Sequence, residues 1–318
     1  MRKLKKPDGI LIVNKEKGMT SFDVVFRVRR LFGIKKVGHT GTLDPDAEGV
    51  LPVCIGRATK CVDMMTGMTK TYEARIRLGV VTDTQDIWGT ILEEHPVTVS
   101  ENDLRAAIMS FEGDSMQIPP MYSAVKVRGK KLVDLARKGV SIDRKPRPVT
   151  FSDIRISSVE MPEAVFEVTC SKGAYIRTLC HDIGRSLGCG AALAALKRKR
   201  VGPFALTEAK TIGEIRAILE KDLAATGAAV PSGEVLKSLL IPTDAVFSNA
   251  PPFYSGSSKQ DAFLLNGRDM AVKADMPDGT RCRVYLTDGS FVGLYRYRAG
   301  EEKLKLEKFF YDLSDGSN

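Results

Sequence analysis

The sequence lacks any apolar run long enough to cross a bilayer, any CxxC pair, and any internal repeat or low-complexity tract. A membrane-spanning helix needs about 20 mostly apolar residues. The amino-terminal stretch is basic, but its apolar part, residues 10–13, is far too short for the core of a secretory signal. These absences argue against a membrane or secreted protein and predict a soluble, cytoplasmic one.

Cysteine is present but shows no sign of disulfide or metal chemistry. The six cysteines are Cys54, Cys61, Cys170, Cys180, Cys189 and Cys282. A chain of 318 residues with 43% hydrophobic residues can build its core without disulfides, so reduced and mostly buried thiols are expected. Cys180, His181 and Cys189 lie close together in the chain, but their spacing matches no common zinc pattern. The sequence predicts no metal site.

Positive charge is in excess and unevenly distributed. The formal net charge is +9, with a pI near 9.2. One cluster lies between Lys126 and Arg147, where only Asp134 and Asp143 oppose it, and a second is the run of residues 197–200. Either cluster alone is as well explained by a solvated face. Two clusters in one chain favour a partner rich in phosphate.

The pattern of apolar residues predicts a mixture of helices and strands. Thr20 or Ser21 can cap a helix whose apolar positions recur at helical spacing until Gly33 ends it. Residues 71–79 alternate as a strand does, with Tyr72 on the apolar face. The segment 116–149 is basic and bounded by prolines, with a helix predicted near residues 132–137. The last seventy or so residues read as short strands joined by turns. We predict an α+β fold followed by a small all-β module.

The stretch GHTGTLDPDAEG, residues 38–49, has almost nothing to bury. It is either a surface loop with ordinary turn residues or a site where Asp44, Asp46 or Glu48 does chemistry. A close pair of carboxylates is the arrangement of a retaining glycosidase. Adjacent loop positions rarely converge in that way, so a single reactive carboxylate is favoured, with Asp46 and Glu48 serving the loop.

Four blocks follow one another in order: GHTGTLDPDAEGVLPVCIGRATK, KTYEARIRLGVVTDTQDIWG, IPPMYSAVKVRGKKLVDLARKG and CSKGAYIRTLCHDIGRSLGCGA. They resemble the successive motifs of bacterial TruB-type tRNA pseudouridine synthases, from about residue 9 to residue 204. The resemblance implies a pseudouridine-synthase fold over residues 1–246, with a mixed, mostly antiparallel central sheet flanked by helices and a basic, RNA-clamping insertion at about 116–149. It implies, more loosely, a PUA-like RNA-binding domain over residues 247–318.

The resemblance also implies the residues that act on the substrate. Asp44 is the catalytic carboxylate, either as a nucleophile at C1′ of the ribose or as a base at C2′. Arg177 is its cationic partner and keeps it ionised. Tyr72 stacks on the base and places its oxygen near C5, although a tyrosine of the core would show the same pattern.

Further residues are implied to bind the RNA. His39 fills the place of the displaced base, and Gly38 beside it lets the RNA backbone approach. Lys15 corresponds to an early lysine of the family, although this chain lacks the Asp and Pro that usually flank it. The basic insertion supplies phosphate contacts from Lys126, Arg128, Lys130 and Lys131.

The implied activity is isomerisation of uridine 55 in the T-loop of tRNA to pseudouridine, by a monomer that uses no metal and no organic cofactor. Two other functions stay open at this point. A non-catalytic RNA-binding or tRNA-folding protein would need only the basic surfaces and the carboxy-terminal module. A small-RNA-guided relative would share the motifs but act on other RNAs.

Overall fold

The computed structural model describes residues 7–127 and 129–311, and shows an α+β protein. Its strands are, in chain order, β1 (Gly9–Lys15), β2 (Val37–His39), β3 (Glu48–Ile55), β4 (Lys70–Leu78), β5 (Val80–Thr82), β6 (Ile91–Glu94), β7 (Gly113–Gln117), β8 (Lys126–Val127), β9 (Lys130–Lys131), β10 (Arg147–Glu160), β11 (Glu163–Cys170), β12 (Ala191–Val201), β13 (Phe204–Ala205), β14 (Leu240–Ile241), β15 (Pro252–Tyr254), β16 (Met270–Ala271), β17 (Arg281–Tyr285), β18 (Phe291–Arg298) and β19 (Lys303–Phe309). Its helices are α1 (Ser21–Phe32), α2 (Val62–Thr66), α3 (Glu101–Met109), α4 (Leu132–Ala136), α5 (Ile176–Ser186), α6 (Ile212–Thr226), α7 (Gly233–Leu239) and α8 (Ser258–Leu265).

A ten-stranded sheet forms the body of the molecule. Its main path runs β14-β1-β3-β12-β4-β11-β10-β7, with β2 paired to β3 and β13 to β12. All of these pairings are antiparallel except the short one between β3 and β12. The predicted mixed, mostly antiparallel sheet is therefore confirmed. The parallel pairing brings the start of β3 against the end of β12, next to the loop of residues 40–47.

Helices cover the sheet and enclose its apolar side chains. On the half formed by β1 and β3, one face packs against α1 and α6 and the other against α2. Every residue of β1 except Asn14 is buried, because side chains on both of its faces are covered. On the other half, α3 and α5 pack over β4, β10, β11 and β12.

The predicted cap and stop of the first helix are confirmed. The Thr20 side chain accepts a hydrogen bond from the backbone N–H of Asp23, and the Asp23 carboxylate accepts one from the backbone N–H of Thr20. Gly33 ends the helix with a φ of 62°, a conformation that glycine adopts without strain. The helix predicted within the insertion is also present, as α4.

A second, five-stranded sheet follows near the carboxy terminus, in the order β15-β17-β18-β19-β16. Helix α8 accompanies it, an element that the alternating sequence pattern does not predict. Phe247, Phe291 and Phe310 pack against one another and join this sheet to the apolar cluster under β1 and β3. The Lys60 ammonium donates to the Phe309 carbonyl at 2.7 Å across the same junction. All six cysteines are free and buried, as predicted.

None of the helices in the described ranges is long and apolar enough to cross a membrane.

The close approach of β3 to β12 leaves no room for a side chain at Gly49. A Cβ at Gly49 would lie 2.3 Å from the Arg198 carbonyl oxygen, and the φ of +108° already disfavours other residues. Gly113 has a similar φ of +111° with open space around it. We expect Gly113→Ala to cost about 1–2 kcal/mol of unfolding free energy through backbone strain alone. Gly49→Ala should cost at least about 2 kcal/mol more, because it also forces the two strands apart. Urea denaturation measures both; equal losses would contradict the steric account.

Candidate active site

The loop of residues 40–47 carries Asp44 and is hydrogen-bonded to the first residue of α1. The backbone N–H of Leu43 donates to Ser21 Oγ at 2.8 Å, and that hydroxyl donates to the Leu43 carbonyl at 3.1 Å. The Leu43 side chain is buried in the main core. A hydrogen bond from the Ala47 N–H to the Asp44 carbonyl, at 3.1 Å, closes a turn just after Asp44. Asp44 therefore sits on a fixed backbone although the loop contains little apolar material.

Lys15 supports the same loop from inside the protein. Its ammonium donates to the carbonyls of Ala47 at 2.6 Å, of Pro45 at 3.1 Å and of Glu16 at 3.1 Å. The residue is fully buried. Burial lowers its pKa to about 8, although Asp44 and Asp46 pull the other way. Since all three N–H bonds end on backbone oxygens, the geometry assigns Lys15 to holding the loop.

Asp44 and Arg177 form an ion pair, as the resemblance implies. Arg177 Nε lies 3.1 Å from Asp44 Oδ2. The arginine side chain is only 7% exposed, whereas that of Asp44 is 45% exposed. Arg177 is in the first turn of α5, which follows strand β11 after the connection of residues 171–175. The guanidinium is thus buried, whereas its carboxylate partner is partly open to solvent.

Arg177 has three further partners. Its Nη1 donates to the Thr84 carbonyl at 3.0 Å and lies 3.5 Å from Asp86 Oδ2, and its Nη2 donates to the Tyr122 carbonyl at 3.0 Å. Burial raises the pKa of Asp86, although Thr84 Oγ1, 2.6 Å away, and Arg177 favour its charged form. Asp86 was not predicted as a site residue. The only signal in the sequence was its place in the block VVTDTQDIWG, and the pattern of that block does not indicate which of its two carboxylates contacts Arg177.

Tyr72 lies on β4 with its side chain in the same apolar cluster as Leu43. It is 9% exposed, and burial raises the pKa of its phenol, which is therefore neutral near pH 7. Its Cα partner on β12 is Arg198. The tyrosine thus lies on the sheet next to the loop of residues 40–47.

Arg198 is a second site residue that sequence reasoning missed. It is 1% exposed, and its Nε donates to the Val50 carbonyl at 2.7 Å. Its Nη2 donates to the Gly41 carbonyl at 3.1 Å. The basic run of residues 197–200 had suggested a phosphate-binding patch. Alternation along β12 instead turns Arg198 inward and pairs Lys197 with Glu48 at 3.2 Å and Lys199 with Glu73 at 3.3 Å.

His39 ends β2 at the entrance to the same loop and is half-buried. Its Nδ1 accepts a hydrogen bond from the backbone N–H of Gly41 at 3.3 Å, which assigns the proton of the neutral ring to Nε2. Burial, and secondarily Arg198, lowers the pKa of this imidazole. Gly38 precedes it in the strand and is also half-buried.

The predicted RNA-binding residues of the insertion are exposed. Lys126, Lys130 and Lys131 lie on the hairpin formed by β8 and β9, and all three are open to solvent. Arg128 lies outside the described residues. Residues 116–149 are named the clamp segment below. Its base is tied to Arg177, because the Tyr122 carbonyl accepts a hydrogen bond from Arg177 Nη2. The Tyr122 hydroxyl also donates to Asp83 Oδ2 at 3.2 Å.

No group of three or more His, Cys, Asp or Glu side chains in the described part of the chain is arranged to hold a metal ion.

Comparison with known families identifies the fold and the class of protein. The profile of the TruB family pseudouridylate synthase N-terminal domain matches residues 29–176, and that of the tRNA pseudouridylate synthase B C-terminal domain matches residues 177–248. The chain belongs to the TruB family. It is accordingly an enzyme of the pseudouridine synthase class, an isomerase that converts uridine to pseudouridine in tRNA.

Curated relatives agree with this assignment over nearly the whole chain. The chain is 41% identical to the tRNA pseudouridine synthase B of Clostridium novyi strain NT, over 95% of its own length and 99% of the relative. It is 40% identical to the protein of that name from Burkholderia pseudomallei strain 668, over 92% of its length and 94% of the relative.

Two solved structures have the same fold. A chain in the crystal structure of a Cbf5-Nop10-Gar1 complex aligns with 97% of this chain and 86% of its own, at a TM-score of 0.72 and 25% identity. A chain in an H/ACA RNP bound to a substrate RNA containing 2′-deoxyuridine aligns with 96% of this chain and 86% of its own, at a TM-score of 0.70 and 24% identity. The predicted pseudouridine-synthase fold is confirmed.

The buried ammonium of Lys15 makes a prediction about pH. Its pKa is about 8 in the folded protein and 10.5 without the fold. Between these values the unfolded chain binds more protons, so the contribution of Lys15 to the free energy of unfolding increases as the pH rises through that window. We expect the stability of the wild type relative to Lys15→Met to increase between about pH 8 and pH 10.5. Urea unfolding of both proteins across that range measures it, and a constant difference would contradict a lowered pKa.

Proposed function

We propose that this enzyme isomerises uridine 55 in the T-loop of tRNA, with Asp44 as the catalytic carboxylate. The single observation that carries the proposal is the ion pair of Arg177 and Asp44, in which a buried guanidinium holds a carboxylate that is still 45% exposed. A carboxylate paired with a buried cation on one side and open to solvent on the other can reach a bound ribose.

The reaction needs one ionised carboxylate at the sugar. The bond between N1 of the base and C1′ breaks, the base turns over, and C5 bonds to C1′. The proton on C5 is then lost to solvent, and N1 gains one. Asp44 supports this chemistry either by attacking C1′ or by removing the proton on C2′. Asp46 and Glu48 serve the loop, since Glu48 is paired with Lys197.

Tyr72 and His39 would contact the bases on either side of this step. A buried phenol that stays neutral suits a stacking and hydrogen-bonding role for Tyr72 at the turned base. His39, at the mouth of the loop and neutral, would fill the gap that the uridine leaves when it is extruded from the RNA. Gly38 beside it would allow a close approach of the RNA backbone.

The clamp segment would supply much of the affinity for tRNA. The exposed Lys126, Lys130 and Lys131 extend from a base that is hydrogen-bonded to Arg177 through Tyr122. Arg128 would act with them. Phosphate contacts position the RNA without reading its sequence. We expect the enzyme to work as a cytoplasmic monomer, with the carboxy-terminal sheet as a further PUA-like RNA contact.

Release of tritium from tRNA labelled at C5 of uridine tests the catalytic role. Wild-type protein should release tritium, with one equivalent lost per tRNA when position 55 is the only target. Asp44→Asn should lower the rate by at least about a thousandfold, since the reaction has no other carboxylate at the sugar. The matched control, Asp46→Asn, should keep wild-type activity. An active Asp44→Asn protein would overturn the assignment, and label lost from another position would overturn the choice of uridine 55.

The same variant separates catalysis from a role in tRNA folding. Asp44→Asn leaves every exposed basic residue in place, so a binding or folding function would survive in it. Misfolded tRNA incubated with this variant and then tested for aminoacylation reports that function. Recovery equal to the wild type would establish a second role independent of the chemistry, whereas no recovery by either protein would exclude one.

Salt dependence tests the clamp segment. Replacing Lys126, Lys130 and Lys131 with Gln should weaken tRNA binding and reduce the slope of log Kd against log salt concentration by about two to three, or roughly 0.7–0.9 for each phosphate that is no longer neutralised. Turnover at saturating tRNA should change little. The triple replacement of Arg216, Lys221 and Lys237 by Gln, at exposed positions outside the clamp segment and the carboxy-terminal sheet, is the control. An unchanged slope in the clamp variant would show that these lysines do not meet phosphates.

A further inference from the structure

The outer face of α1 carries an aromatic and basic stripe that the site described above does not use. It consists of Phe22, Phe26, Arg29 and Arg30, at the helical spacing that places side chains along one side. Phe22 is 61% exposed and Phe26 52% exposed. A single exposed apolar side chain needs no explanation. Two exposed phenyl rings one turn apart, each with its own arginine, form a pattern.

The arginines and rings are paired at the surface. The guanidinium carbon of Arg29 lies 5.8 Å from the centre of the Phe22 ring, and that of Arg30 lies 6.0 Å from the centre of the Phe26 ring. Arg30 is exposed, whereas Arg29 is half-buried and its Nη2 donates to the Val37 carbonyl at 3.2 Å. Each contact places a cation beside an aromatic ring. Aromatic rings on which bases can stack, combined with cations that meet phosphates, are the means by which proteins bind unpaired nucleic acid.

The charge of this region also favours a polyanion. Residues 20–36 contain five basic side chains, Arg27, Arg29, Arg30, Lys35 and Lys36, and the single acidic side chain of Asp23. The Asp23 carboxylate is already engaged with the backbone N–H and the hydroxyl of Thr20. The segment therefore carries a net charge of +4, which the Asp23 carboxylate offsets only in part.

The stripe begins beside the proposed catalytic loop. Ser21, the residue before Phe22, exchanges hydrogen bonds with the backbone of Leu43, and Leu43 precedes Asp44. From Phe22 to Arg30 the helix rises about 12 Å, at about 1.5 Å per residue. An RNA strand with one nucleotide at Asp44 can therefore continue onto this face.

We propose that this stripe binds unpaired nucleotides of the substrate RNA that adjoin the target uridine. The rings of Phe22 and Phe26 stack on bases, while the exposed Arg30 contacts the phosphate between them and Arg29 holds the Phe22 ring from the side of the protein. The inference rests on the proposed function, because it takes the RNA to be seated at Asp44. It adds a second binding surface, on the side of the loop that α1 supports, to the clamp segment.

Binding of a T-arm stem-loop RNA to proteins that also carry Asp44→Asn, so that nothing turns over, tests the proposal. Phe22→Ala with Phe26→Ala should raise the Kd by about tenfold or more, the loss expected from unstacking even one base. Phe22→Tyr with Phe26→Tyr should restore binding to within about threefold, because a phenol ring also stacks. Met109→Ala, at a 42% exposed position on α3, is the control and should not change the Kd. In the active background, the alanine pair should raise KM and leave kcat unchanged.

The proposal would be overturned if the alanine pair left the Kd unchanged or if the tyrosine pair did not recover binding. It would also be overturned if, without RNA, the wild type self-associated and the alanine pair did not, because the stripe would then be a contact between protein copies. Thermal unfolding of each variant checks that the exposed substitutions leave the fold intact. Failure of the proposed function is recognised separately, because wild-type protein would then release no tritium whatever the stripe variants bind.

Discussion

The ion pair between Arg177 and Asp44 is the interaction on which the rest of the site depends. A guanidinium that is 7% exposed has lost most of its hydration and must find acceptors within the protein. Arg177 finds them in three segments far apart in the chain: the loop of residues 40–47, the turn that contains Thr84 and Asp86, and the base of the clamp segment at Tyr122. One buried cation therefore fixes the loop of residues 40–47 relative to the base of the clamp segment. Loss of any one acceptor would leave the others to hold a partly uncompensated charge, so the three segments are coupled.

The loop itself is built on the same physical rule. An irregular loop cannot satisfy its carbonyl oxygens with a helix or a sheet, and here long basic side chains supply donors from below. Lys15 serves Pro45 and Ala47, and Arg198 serves Gly41. These two cations and Arg177 surround a backbone that carries Asp44. The same basic side chains therefore hold the loop in place and put positive charge beside its exposed carboxylate.

How far the sequence predicts this site depends on the kind of signal. Local patterns predict α1 with its cap at Thr20 and its stop at Gly33, because those depend on neighbours in the chain. The pairing of Asp44 with Arg177 follows only from the ordered motifs of the family, since 133 positions separate the two residues. Neither the local patterns nor the family motifs predict Arg198 or Asp86 as site residues. A run of four basic residues reads as one charged patch, and only the pairing of β12 with β3 and β4 reveals that one of them points inward. Lys15 is predicted as a ligand of the substrate, and that role stays a prediction; the structure places its ammonium beneath the loop, hydrogen-bonded to the carbonyls of Pro45 and Ala47.

The basic residues thus divide into two groups with different physical consequences. Those under the loop are desolvated and hydrogen-bonded, so salt screens them little and their loss would disturb the geometry at Asp44. Lys126, Lys130 and Lys131 on the clamp segment and Arg30 on α1 are exposed, so salt screens the attraction of these side chains for a phosphate strongly. The two groups share no residue, so a substitution among the exposed residues leaves the hydrogen bonds under the loop in place. The contact of α1 with Leu43 places exposed positive charge beside the loop of residues 40–47, where it takes no part in the hydrogen bonds that hold the loop.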